Sequence, residues 1–178
     1  MNRAAKVFFT CILVVLPFTV YNSAVPANPS QWELSIAVPE SNHERSISLT
    51  PARHFHVLLR NTSASTQKIW KDNNSWGYSA LNFELTDANG KTITLRKNPS
   101  SWRKNVPNYW SIAGGETLVL DVYLTNGDWP QLPMNDAAHT YTIRALFELT
   151  DDEKAKELGI WVGKLTSSAK EIVFHKDQ

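Results

Sequence analysis

Along most of this chain apolar residues fall at every second position, beginning with Trp32-Leu34-Ile36-Val38. The alternation returns at Phe55-Val57-Leu59, Leu81-Phe83-Leu85, Ile93-Leu95, Leu118-Leu120-Val122-Leu124, Tyr141-Ile143-Ala145-Phe147-Leu149 and Ile172-Phe174. A period of two places those side chains on one face of an extended backbone, so each run predicts a strand with one buried face. Turn-forming residues lie between the runs. Asp87-Ala88-Asn89-Gly90 carries the Asn-Gly pair of a tight hairpin joining strands over 81–86 and 91–96, and Gly114-Gly115 precedes the long run at Leu118. Roughly seven to nine strands without helical crossovers predict an all-β fold, an antiparallel β-sandwich. Its inter-sheet core is expected to contain Phe55, Val57, Leu59, Phe83, Leu85, Leu120, Val122, Ile143 and Phe147.

One short connector helix interrupts this pattern, over 151–158. Thr150 and Glu153 have the spacing of a capping box, and Gly159 stands where a left-handed residue closes a helix. The acidic run Asp151-Asp152-Glu153 suits a helix N-terminus better than calcium, which needs alternating oxygen ligands and usually a glycine turn.

The first 27 residues follow a different logic. Arg3 and Lys6 precede an apolar run from Val7 to Val20, which ends in a small-residue site at Val25-Pro26-Ala27. That is the layout of a secretory signal peptide, with cleavage expected after Ala27. The run is shorter than the ~20 residues that span a bilayer as a helix, so the mature form is expected to have no transmembrane span and to be secreted or periplasmic. Residues 28–44 then form an N-terminal link and first strand, belonging with 45–178 to a single sandwich domain. The only cysteine, Cys11, lies inside the leader, and Thr10 before it is a poor match to the small residue that precedes a lipoprotein cysteine. The mature domain is therefore expected to have neither a disulfide nor a thiol nucleophile. Loss of Arg3 and Lys6 turns the formal charge from +1 to −1, which argues against nucleic acid as a partner.

Candidate chemistry is concentrated in aromatic residues. Seven tryptophans are present, of which Trp32 alternates with core positions and the other six lie in or beside segments that read as loops. The stretches 61–80 and 97–116 read as long and irregular, and 126–138 as a third. Trp70, Trp76, Trp102, Tyr109 and Trp110 are the candidate ligand- or partner-binding residues, because flat amphipathic rings stack on sugars and anchor protein partners. The competing expectation is that each ring folds down as a lid over one end of the sandwich. His54 and His56 share one outward sheet face and are weak candidate metal ligands, since two ligands do not complete a zinc site and spacing identifies no third. No Gly-x-Ser-x-Gly elbow, HExxH helix or glycine-rich phosphate loop occurs, so the reading is non-enzymatic, with no cofactor implied. Asn61-Thr62-Ser63 and Asn73-Asn74-Ser75 match glycosylation acceptors.

The order "HFHVLLRNTSAS", "LNFELTDANGK", "SIAGGETLVLDVYL", "HTYTIRALFEL" and "GIWVGKLTSSAKEIVF" resembles immunoglobulin-like and fibronectin-type β-sandwich domains of exported bacterial proteins. The points of likeness are the Asn-Thr-Ser after a buried strand, the Gly-Gly-Glu before a long one and the Tyr141 strand leading to the Trp161 segment. This resemblance implies an immunoglobulin-like arrangement of the sandwich. A looser likeness is to the intracellular proteinase inhibitor family, from which the chain departs by carrying a leader. The combined expectation is an exported binding module that engages a protein or glycan of the cell envelope or medium through its Trp-rich loops. The alternatives are an inhibitor of an exported protease, acting through a loop such as 98–108, and a carbohydrate-binding module.

Overall fold

The computed structural model describes residues 31–39, 46–48, 54–133 and 139–175. The leader, its cleavage site and Cys11 lie outside the described residues, and no described helix is long and apolar enough to cross a membrane. The fold is all-β with one short helix. Its strands are β1 (Trp32–Ala37), β2 (Ser46–Ser48), β3 (Phe55–Asn61), β4 (Gln67–Trp70), β5 (Leu81–Asp87), β6 (Thr92–Leu95), β7 (Tyr109–Ile112), β8 (Thr117–Val122), β9 (His139–Leu149), β10 (Gly163–Thr166) and β11 (Lys170–His175). Helix α1 (Glu153–Leu158) separates β9 from β10.

A small sheet has the order β1-β3-β8, and a larger one the order β2-β11-β9-β5-β6, with β10 also on β9. All pairings are antiparallel except that of β2, which runs parallel to β11. The period-two runs are the reason the two sheets share one core. Phe55, Val57 and Leu59 of β3 are fully buried, as are Phe83 and Leu85 of β5 and Ile143 of β9. Phe55 meets Phe83 edge to face with centroids 5.4 Å apart. Of the expected core positions, Leu120 is only half-buried, because it borders a cleft described below.

Eleven described strands exceed the seven to nine expected, and the excess has a common cause. β2, β4, β7 and β10 span three or four residues each, too few to display a period of two. β4 and β7 also correct the reading of 61–80 and 97–116 as loops throughout, since they pair with each other, Ile69 opposite Trp110 and Trp70 opposite Tyr109. They extend the β3/β8 ribbon past an interruption at Asn61. There the backbone N–H of Asn61 donates to the Glu116 carbonyl at 2.9 Å while its own carbonyl accepts from Gly115 N–H at 2.8 Å, so two residues oppose one, as in a β-bulge. Gly115 takes φ 82, the left-handed value this bulge needs. Gly115→Ala is expected to lower stability by about 1–2 kcal/mol through backbone strain alone, measured as a lower urea midpoint with an unchanged slope.

A second irregularity lies where β10 gives way to β11 along β9. Ser167 N–H donates to the Ala145 carbonyl and its Oγ accepts from Ala145 N–H, both at 2.9 Å, and the register then advances by one residue. The 81–86/91–96 hairpin forms as β5 and β6, with Gly90 at φ 80. The helix also forms, and Gly159 closes it at φ 65. Its N-cap, however, is Asp152, whose carboxylate accepts from Ala155 N–H at 2.7 Å, and not Thr150. Three consecutive side chains could have capped, and the one nearest the first turn does so.

Candidate functional site

The hydrogen-bond phase of the small sheet determines what β8 presents to its surroundings. In antiparallel pairing a residue's N–H and C=O point to one neighbouring strand only, and successive residues alternate. Thr62 N–H donates to the Gln31 carbonyl, so the even-numbered residues of β3 bond toward β1. The Asn61 to Glu116 bond then directs the odd-numbered residues of β3 and the even-numbered residues of β8 toward each other. The backbone groups of Thr117, Val119 and Asp121 consequently point away from β3, and among the described residues β8 pairs with β3 alone. The next carbonyl in this phase, that of Tyr123, accepts the indole N–H of Trp129 at 3.0 Å, which closes the free edge at that end.

A cleft of about 400 Å³ lies against this edge. Its β8 wall is the unbroken stretch from Leu118 to Tyr123. Trp70, Trp110, Tyr78 and Trp129 contribute the facing aromatic surface, and Leu81 and Phe147 of the large sheet form the floor. Three carboxylates, Asp72, Asp121 and Asp128, border the cleft with a single cation, Lys97, which pairs with Asp72 at 3.4 Å. Two negative charges are left without a lysine or arginine inside the cleft. Val119 and Tyr123 are exposed beside it, at 52% and 43%.

The five aromatic candidates do not form one platform. Trp70 stacks on Trp76 with centroids 5.5 Å apart and meets Tyr109 edge-on at 6.5 Å. Trp102 packs edge-on against Tyr78 at 5.5 Å instead. Trp110 stands apart, with the Lys71 ammonium 4.0 Å from its ring centroid. Trp70 is buried, Trp76, Trp102 and Tyr109 are half-buried, and Trp110 is exposed at 39%. Only Trp70 and Trp110 of the five reach the cleft. Trp129, which also reaches it, is a site residue that sequence reasoning missed. Its alternation with core residues is broken by the turn at 126–128, while in the fold it is buried and edge-on to Phe83 at 5.3 Å.

Two asparagines give the surrounding segments their shape. Asn74 is fully buried, donating to the Asn108 carbonyl at 2.8 Å and accepting from the N–H groups of Trp76 and Gly77 at 3.1 Å each. This bond set ties the turn after β4 to the entry of β7 and thereby positions the aromatic wall. Asn61 is equally buried and fully bonded, so its match to a glycosylation acceptor is structural, and its amide is closed to a glycan.

His56 lies in β3 and His54 immediately before it, with the two rings together on one side of the small sheet. Asp121 of β8 is directly opposite His56, with Oδ1 2.8 Å from Nδ1. The His54 ring lies 5.0 Å from that of His56 and 5.1 Å from that of Tyr123.

No protein-family model matches the chain, and no curated protein is significantly similar to it.

Proposed function

We propose that this protein is an exported, non-enzymatic binding module that holds an extended polypeptide segment along the free edge of β8. The observation that carries this reading is the coincidence of a strand edge unpaired among the described residues with an aromatic-walled cleft along its length. An extended segment laid there gains main-chain hydrogen bonds to Val119 and Asp121, and its alternate side chains enter the cleft. The apolar wall favours an aliphatic or aromatic side chain at the cleft position. The Asp128 carboxylate, which meets no lysine or arginine of the cleft, favours lysine or arginine at a flanking one, which speeds encounter and makes binding salt-sensitive.

This reading keeps Trp70 and Trp110 as binding residues, gives Trp76 and Tyr109 the work of bracing Trp70, and leaves Trp102 packed against Tyr78. It is better supported than a sugar platform, because one broad face of Trp70 is already taken by Trp76 and one of Trp110 by Lys71.

Selection of a random-peptide display library on the purified protein tests it. Selected peptides are expected to alternate apolar and basic residues, and one bound peptide should slow amide hydrogen exchange at Val119 and Asp121 at least about tenfold. Protection confined to the 98–108 segment, with inhibition of a protease, would replace the reading by the inhibitor alternative. Retention on polysaccharide that depends on Trp110, with no peptide selected, would replace it by the carbohydrate one.

A further inference from the structure

We infer that His54, His56 and Asp121 form a binding site for a divalent transition-metal ion of the zinc class, on the outer face of the small sheet. His56 faces Asp121 across the β3/β8 ladder, and continuing that register places His54 opposite Tyr123. By the bonding phase derived above, both are non-hydrogen-bonded positions, where opposed Cα atoms approach to about 4.5 Å and side chains come closest. The strand period puts the two imidazoles on the same face two residues apart. One potential ligand atom from each of the three residues falls within a set whose members all lie within 4.8 Å of one another.

A tetrahedral ion with bonds of about 2.0–2.1 Å needs ligand atoms about 3.4 Å apart. Separations of up to 4.8 Å must therefore contract by up to about 1.4 Å, the task of χ rotations in three side chains. His54 and His56 are half-buried and Asp121 is exposed, so such rotations meet little packing resistance. The Tyr123 ring, 5.1 Å from that of His54, backs the imidazole on one side.

The donor set defines the ion. Two imidazole nitrogens and one carboxylate oxygen suit zinc and its neighbours, whereas calcium and magnesium prefer oxygen throughout. The fourth position opens to solvent and would take water. When His56 ligates through Nδ1, the metal replaces the hydrogen bond to Asp121 Oδ1, and the neutral imidazole keeps its single proton on Nε2.

The test uses tag-free protein and zinc chloride alone, followed by calorimetry and by NMR of 15N-labelled histidine side chains. The expected result is one saturable equivalent, with the ring signals of His54 and His56 shifting together while that of His139, in the other sheet, stays in place. His54→Ala and Asp121→Asn should each weaken binding about tenfold or more, and His139→Ala should leave it unchanged. Asp121→Asn retains a hydrogen-bonding partner for His56 and leaves the β3/β8 ladder intact, so an unchanged melting temperature without metal, beside the lost affinity, assigns the effect to ligation. Affinity unchanged in both site variants, or ring shifts spread over all histidines, would overturn the assignment.

Discussion

Asn61→Ala is expected to be the most destabilising polar substitution among the described residues, at about 3–5 kcal/mol. The carboxamide uses its full bonding capacity while being wholly buried. Nδ2 donates to the carbonyls of Ser65 at 2.7 Å and Ile112 at 2.9 Å, and Oδ1 accepts from the N–H of Ser63 at 3.0 Å and its hydroxyl at 2.7 Å. Alanine withdraws one of the two donors of the buried Ile112 carbonyl, leaving it only its ladder partner Gln67, and releases the 61–65 turn. Each orphaned group costs about 1–3 kcal/mol where water does not reach it. Asn61→Asp keeps the shape but aims a carboxylate at two carbonyl oxygens, so it should not rescue. Because β4 and β7 are held to the small sheet at this point, the loss should be accompanied by faster amide exchange at Ile69 and Trp110 than in β3 and β8. A loss below about 1 kcal/mol by chemical denaturation would show that this junction is not what anchors the second half of the ribbon.

A pair of proline substitutions should separate binding from stability. Leu120 N–H lies in the set that bonds to β3, opposite Val57, so Leu120→Pro deletes a ladder bond and drives a ring toward the neighbouring strand. About 3 kcal/mol or more should be lost. Val119 N–H points to the free edge instead, where proline is tolerated. Val119→Pro is expected to cost no more than about 1 kcal/mol, while weakening a peptide selected on the native protein by at least about tenfold, because it removes a donor only an added strand would use. The expected pattern is thus a variant that melts normally and does not bind, beside a neighbour that barely folds. Equal melting temperatures for the two would contradict the hydrogen-bond phase assigned to β8. Full peptide affinity in Val119→Pro would contradict strand addition while leaving the phase intact.

Much of this architecture can be read in the residues themselves. Where one face of a strand is buried along its length, as in β3, β5 and β9, the burial is written as alternation, and the Asn89-Gly90 turn and Gly159 helix stop act through local backbone geometry. The failures are places where a distant partner decides. Gln67–Trp70 and Tyr109–Ile112 are strands because they meet each other, and neither is long or apolar enough to announce it. Asp121 became the partner of His56 only once the register of two strands 65 residues apart was known. The aromatic candidates are legible as residue types, but whether a ring braces or lines a cleft depends on which neighbour stacks on it. For Trp76 that neighbour is Trp70, six positions away around a turn held by Asn74.

The position of β9 has a consequence for how this chain reaches its native state. β9 lies at the heart of the large sheet, with β5 on one side and β10 and β11 on the other, and it brings Ile143, Ala145, Phe147 and Leu149 to the core. All of these come from the final quarter of the sequence. A polypeptide emerging N-terminus first can pair β3 with β8, close the β5/β6 hairpin and bring Phe83 to Phe55, but Ile143, Ala145, Phe147 and Leu149 join the core only when residue 139 and beyond arrive. Completion of this core therefore waits until β9 has emerged, and during that interval the greasy inner surface of the small sheet is what a holding chaperone would have to shield.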